Sequence, residues 1–216
     1  MNCCTKLTLQ QCNKMLEMQN SINSYVNPNW KSANNDWTLA ILVETVEAIE
    51  HHGWKWWKHQ KPDTNQLRME LIDIWHFMMS HTLCQNDLNT VKETAKSIII
   101  LSNNTDEYQK YSNKTCIENL KLFATYTAIG IIDYTLFFVL CDQVGLSVNM
   151  LFEHYIGKNV LNRFRQDNGY KKGTYIKIWK DGREDNEHLM DYLKVVDLND
   201  ENVDVNLYKL LAANYG

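Results

Sequence analysis

The stretch Trp37-Thr-Leu-Ala-Ile-Leu-Val-Glu44-Thr-Val-Glu47-Ala-Ile-Glu-His-His52, followed after a short break by Leu67-Arg-Met-Glu70-Leu-Ile-Asp73-Ile-Trp-His76-Phe77-Met78, decides how the chain is read. Both segments repeat apolar residues at the three- and four-residue spacing of an α-helix. Asp36 is placed to cap the first helix and Gly53 to stop it after His52; the second runs from about Asn65 to Cys84. On a helical wheel Trp37, Ala40, Ile41, Glu44, Glu47 and Ala48 form one stripe, and Leu39, Leu42, Val43, Val46 and Ile49 form another. In the second helix Met69, Glu70, Asp73, His76 and Phe77 share a stripe beside Leu67, Leu71, Ile74 and Met78. Each helix therefore carries two acids, one turn apart, on a face that reads as core.

Four buried like charges would repel one another and lose their hydration, so a chain that keeps them must supply cations or protonate them. Hard divalent cations such as Mg²⁺ take carboxylate oxygens and leave room for phosphate oxygens. A single Glu-x-x-Glu is common on solvated helices. Two acid pairs on core stripes of consecutive helices point instead to a metal.

The same periodicity extends outward in both directions. A first helix is expected from Thr5 to Tyr25, with Cys12, Met15, Leu16, Ile22 and Val26 inward, ended by Asn27-Pro28-Asn29. Thr90-x-x-Glu93 and Thr115-x-x-Glu118 fit the capping box and open two more. The apolar run Leu122 to Cys141 has about the length of a membrane span. Asp133, Gly130 and its threonines argue for a buried or subunit-interface helix, broken near Gly130. Gly145-Leu-Ser147 leads into a helix from Ser147 to about Asp167, closed by Asn168-Gly169. A polar segment from Gly169 to Glu184 precedes two short helices, near Leu189–Leu198 and Val205–Ala213. The expectation is one all-α, bundle-like domain over 1–216, with about eight helices.

Composition agrees. The 216 residues are 44% hydrophobic and 22% charged, with only 2 Pro and 8 Gly, too few breakers for a sandwich or barrel. Acids outnumber bases 26 to 22 without a long basic block, which disfavours nucleic acid and anionic membranes as partners. The six cysteines form no Cys-x-x-Cys pair, and Met1 to Lys6 begin no apolar run. Reduced thiols in a cytoplasmic protein without a secretory signal are expected.

Two further polar sets stand out. Lys158, Asn162 and Arg165 form a row at i, i+4 and i+7, continued by Asn168, Tyr170, Lys171, Lys172 and Lys177; beside a metal, such a row suits phosphates. Gln19 and Asn23 share the inward stripe of the first helix, where they serve either a structural pair or a base pocket. Trp54-Lys55-Trp56-Trp57-Lys58 packs three indoles together, either as core or as a stacking wall.

Glu44-x-x-Glu47, Trp54 to Lys58, Arg68 to Phe77 and Gly157-Lys158-Asn-Val-Leu-Asn162-Arg-Phe-Arg165-Gln-Asp-Asn168-Gly-Tyr170 resemble the dimeric, all-α dUTPases, within the all-α nucleoside triphosphate pyrophosphohydrolases. The similarity spans about Met15 to Trp179. The acids alone indicate the superfamily; the tryptophans and the Lys158 to Tyr170 segment indicate the dUTPase branch. The resemblance implies Mg²⁺-dependent hydrolysis of dUTP, and of dUDP, to dUMP by a homodimer. It makes Glu44, Glu47, Glu70 and Asp73 metal ligands, with Glu47 also the general base. Lys158, Arg165, Asn168, Tyr170 and Lys177 match phosphate-binding positions, and Gln19, Asn23, Trp57, His76 and Asn162 match positions around deoxyuridine. The chain departs from the pattern at Arg163 and in a compact region from Asn86 to Tyr111. The rival readings are a relative acting on dCTP or damaged triphosphates, a helical di-iron or di-manganese carboxylate protein, which expects two Glu-x-x-His motifs, and a non-catalytic binding module.

Overall fold

The computed structural model describes residues 6–85, 90–197, 200 and 202–216. Among them are ten α-helices and no strands: α1 (Leu9–Val26), α2 (Trp37–His52), α3 (Thr64–Gln85), α4 (Val91–Leu101), α5 (Thr105–Ser112), α6 (Cys116–Ala128), α7 (Tyr134–Gln143), α8 (Val148–Asp167), α9 (Asp185–Leu193) and α10 (Val203–Asn214). The all-α expectation holds, and the differences from it are local.

Helix α1 starts at Leu9 rather than Thr5 because Thr8 and Gln11 form a reciprocal capping box; Met1 to Thr5 lie outside the described residues. Val26 is exposed at its end rather than inward. Thr90 and Thr115 cap α4 and α6 through Glu93 and Glu118 as expected. Between them the sequence reading missed α5, a short polar helix capped by Asn104 that buries only Tyr111. The apolar run from Leu122 is broken where anticipated. Gly130 takes φ +81°, and the Asp133 carboxylate accepts from the Leu136 N–H at 2.9 Å to start α7. Among the described residues no single helix is long and apolar enough to cross a membrane. Helix α9 begins at Asp185, four residues ahead of expectation, and ends at Leu193, five ahead. Its first turn is closed by the Glu187 carboxylate accepting from the Glu184 N–H at 2.9 Å, a cap that a search for Ser, Thr, Asn or Asp overlooks.

Helix α3 is the central element: Leu67, Leu71, Ile72, Ile74, Trp75, Met78, Met79 and Leu83 are all buried. Trp75 stacks on Phe137 of α7 with ring centroids 5.1 Å apart, and α2 packs along α3. The second stripe of α2 enters this core only in part: Ile49 packs against it, but Leu39, Val43 and Val46 are exposed, while Ile41, Thr45 and Ala48 are buried. Most of the Leu122 to Cys141 run, including Phe123, Leu136, Phe137 and Leu140, is instead consumed inside the chain's own core. A second apolar cluster joins Val160, Leu161 and Phe164 of α8 to Trp179, Leu189, Leu193, Leu207 and Leu211. Helix α8 thus serves both clusters, and Gly157 lets α9 close on it: a Cβ there would stand 2.9 Å from Leu193 Cδ1. That approach brings the first turn of α9 beside the polar row of α8.

Candidate active site

Packing of α2 on α3 brings three of the four acids together. Carboxylate oxygens of Glu44, Glu47 and Glu70 all lie within 4.8 Å of one another. Glu70 is buried, Glu44 is half-buried and Glu47 is exposed, so the expectation of four acids buried together is corrected. The helices set the spacing, and the rim position leaves the group open to solvent. Burial, then the charges of Asp73, Glu70 and Glu47, push the Glu44 carboxyl up to about 8; burial, then Asp73, push Glu70 up to about 7. His51 Nε2 stands 3.3 Å from Glu70 Oε1. An all-oxygen donor set of three converging carboxylates fits a hard divalent cation, whose octahedral ligands sit roughly 3–4 Å apart.

Asp73 takes a different position. Its Oδ2 accepts from Lys158 Nζ at 2.9 Å, and it stands outside the three-carboxylate group. Lys158 is 3% exposed and also donates to Asn186 Oδ1 at 3.3 Å. Arg165 is likewise engaged, with its Nε and Nη2 donating to the two oxygens of Asp185 at 2.8 and 2.9 Å. Burial alone would raise the Asp185 carboxyl, but the hydrogen bond and charge of Arg165 outweigh it and hold the group below its ordinary value. Asn162 Oδ1 accepts from Arg165 Nη1 at 3.4 Å, and Asn168 donates to the Phe164 carbonyl at 2.8 Å. Tyr170 and Lys177 are exposed; the Arg165 guanidinium lies 5.9 Å from the Tyr170 ring centre, and Lys177 pairs with Glu184 at 3.1 Å. Arg163, whose direction the sequence left open, lies over the Tyr25 ring and pairs with Asp167.

Gln19, Asn23 and His76 meet in one network completed by Ser80 and Tyr155. Ser80 Oγ donates to the His76 carbonyl at 3.0 Å and accepts from Gln19 Nε2 and Asn23 Nδ2, each at 2.9 Å. Gln19 therefore turns Oε1 toward His76 Nδ1 at 2.8 Å and the Tyr155 hydroxyl at 2.7 Å. An amide oxygen can only accept, so Nδ1 carries the ring proton and Nε2 is left a bare acceptor. Burial pushes the imidazole down to about 3, keeping it neutral. Nε2 is buried without a partner among the described residues, and the ring stacks on Tyr155 at 4.1 Å. The amides of Gln19 and Asn23 are thus largely occupied by each other and by Ser80.

The indoles are not core. Trp54, Trp56 and Trp57 are all exposed, with Trp57 edge-on to both others at 5.1 and 5.4 Å. The sequence reading missed Asp185 and Asn186, which hold the cations of α8, because they fall between the polar segment ending at Glu184 and a helix expected only near Leu189. It also missed Ser80, one turn after His76, which the wheel of α3 could have flagged as a hydroxyl on a buried face.

A family model described as dUTPase matches residues 11–170, three quarters of the chain, and spans the acids, the indoles, the amides and the row on α8 up to Tyr170. No individual curated protein matches the chain.

Proposed function

We propose, for a chain that belongs to the dUTPase family and so is a hydrolase converting dUTP to dUMP, that Mg²⁺ is the metal, that dUDP is also a substrate, and that Glu47 is the general base. The observation that carries this reading is the convergence of Glu44, Glu47 and Glu70 within 4.8 Å. These three, with Asp73, would hold the ion. When bound, Mg²⁺ supplies charge against the phosphates and acidifies water. Glu47 is the exposed member of the group, so its carboxylate is the one free to orient water and take its proton. Lys158, Arg165, Asn168, Tyr170 and Lys177 would receive the phosphate oxygens. The first two need no large movement to be aimed, because Asp73, Asp185 and Asn186 already hold them.

For the base, Gln19, Asn23, Trp57, His76 and Asn162 form the proposed nucleoside set. The bare His76 Nε2 supports uracil over cytosine: uracil offers a ring N–H to an acceptor, whereas the same nitrogen of cytosine is itself an acceptor. Homodimerisation belongs to the proposal as well. The apolar row Leu39, Val43 and Val46, exposed at i, i+4 and i+7 on α2, supports it better than the buried run on α6 and α7. So does a cytoplasmic location, in keeping with the free thiols of Cys12, Cys116 and Cys141. The test is pyrophosphate or phosphate release from dUTP, dUDP, dCTP and dTTP in Mg²⁺. Release from dUTP and dUDP is expected, with at least tenfold lower kcat/KM for dCTP; equal turnover of dCTP would overturn the uracil reading.

A further inference from the structure

Among the described residues, Asp73 and Lys158 form the one hydrogen-bonded ion pair between the acidic and cationic halves of the site described above, and it has consequences for both. The pair is tight at 2.9 Å, and the side chains are 4% and 25% exposed for Lys158 and Asp73 respectively. Glu70, one turn earlier on the same helix, has a carboxylate oxygen within 4.8 Å of those of Glu44 and Glu47, a group that does not include Asp73. The Asp73 Oδ2 accepts instead from Lys158 Nζ, while its charge still acts on Glu44 and Glu70. A buried ammonium cannot leave its carboxylate without another anion to meet it, because an unpaired buried charge costs several kcal/mol. A phosphate oxygen arriving between α3 and α8 is such an anion. Asn186 Oδ1, 3.3 Å from Nζ, would keep the ammonium anchored while it changes partner.

We infer that Lys158 is a placeholder cation and positioning residue: it holds Asp73 out of the metal site in the free protein and yields it when phosphates draw the ammonium away. The free site is then a three-carboxylate site of Glu44, Glu47 and Glu70, and Asp73 joins only with nucleotide present. This rests on the reading that these acids hold Mg²⁺. By linkage, nucleotide then tightens Mg²⁺ binding by the same factor as Mg²⁺ tightens nucleotide binding.

Calorimetric titration of the full chain with Mg²⁺ alone tests this without any turnover, so it can fail while dUTP hydrolysis stands, and hydrolysis can fail while it stands. Lys158→Met frees Asp73 and is expected to bind Mg²⁺ several-fold more tightly than wild type; unchanged or weaker binding would overturn the inference. Asp73→Asn keeps an oxygen for Lys158 and a full-length side chain, so it decides the matter even if Lys158→Met does not fold. It is expected to match wild type within about twofold for Mg²⁺ alone, and a marked loss would overturn the inference. With a saturating α,β-imido analogue of dUTP, after correction for Mg²⁺ held by the analogue, wild type gains about tenfold and Asp73→Asn gains nothing. Equal gains in both would overturn it.

Discussion

The acids of α2 and α3 and the bases of α8 sit side by side, yet they reach charge balance in opposite ways. Lys158 and Arg165 are fully answered within the chain, by Asp73, Asp185 and Asn186. Glu44, Glu47 and Glu70 face one another, and burial first, then the charge of Asp73 and of the group itself, raises the carboxyls of Glu44 and Glu70. A charged side chain on a buried face therefore does not by itself mark a ligand site. What distinguishes the two halves is whether the protein supplies the counter-charge, and only the acid group is left needing one from outside.

That contrast is broken most severely at Glu47. Glu47→Gln removes a proton acceptor and a ligand but touches neither the amide network nor the α8 row. Turnover of dUTP is expected to fall by about 10³-fold or more, with nucleotide binding still measurable by calorimetry; wild-type-like kcat would remove Glu47 from the chemistry. On the compensated side, Asp185→Ala strands the largely buried Arg165 and is expected to cost about 3–5 kcal/mol in denaturant unfolding. A loss below about 1 kcal/mol would mean that the pair is dispensable for the packing of α9 on α8. A smaller effect separates the halves by pH. Glu44 and Glu70 have folded values of about 8 and 7 against an ordinary 4.5, so the folded chain binds the extra protons. Stability of the metal-free protein must then fall as pH rises from about 4.5 toward 8. Mg²⁺ is accordingly expected to raise the melting temperature more at pH 8 than at pH 6, and equal shifts at both would count against the acid group as the metal centre.

Much of this was legible in the order of residues, for reasons that differ by region. The helices of the core announce themselves because their caps are local: Asp36, Thr90, Thr115 and Ser147 each accept from a backbone N–H three residues on. The convergence of Glu44 with Glu47 follows from spacing alone, whereas the same spacing did not bring Asp73 into one group with Glu70. Burial does not: the wheel of α2 is apolar nearly all round, and nothing in it says that Leu39, Val43 and Val46 would be left outside while Thr45 goes in. The partners of Lys158 and Arg165 were equally hidden, since Asp185 and Asn186 lie twenty or more residues away on a helix whose start depends on Glu184 and Glu187. Likewise, Gln19 and Asn23 read equally as a structural pair or a base pocket until Ser80 and Tyr155, from two other helices, are seen to bond to them.

Chelation puts the acid group to its plainest trial. Pyrophosphate release from dUTP is followed before EDTA treatment, after it, and after Mg²⁺ is restored. Release is expected to stop on chelation and to return with Mg²⁺ in the wild type. Undiminished release in the chelated protein would mean that Glu44, Glu47 and Glu70 converge for some purpose other than holding the ion that drives hydrolysis.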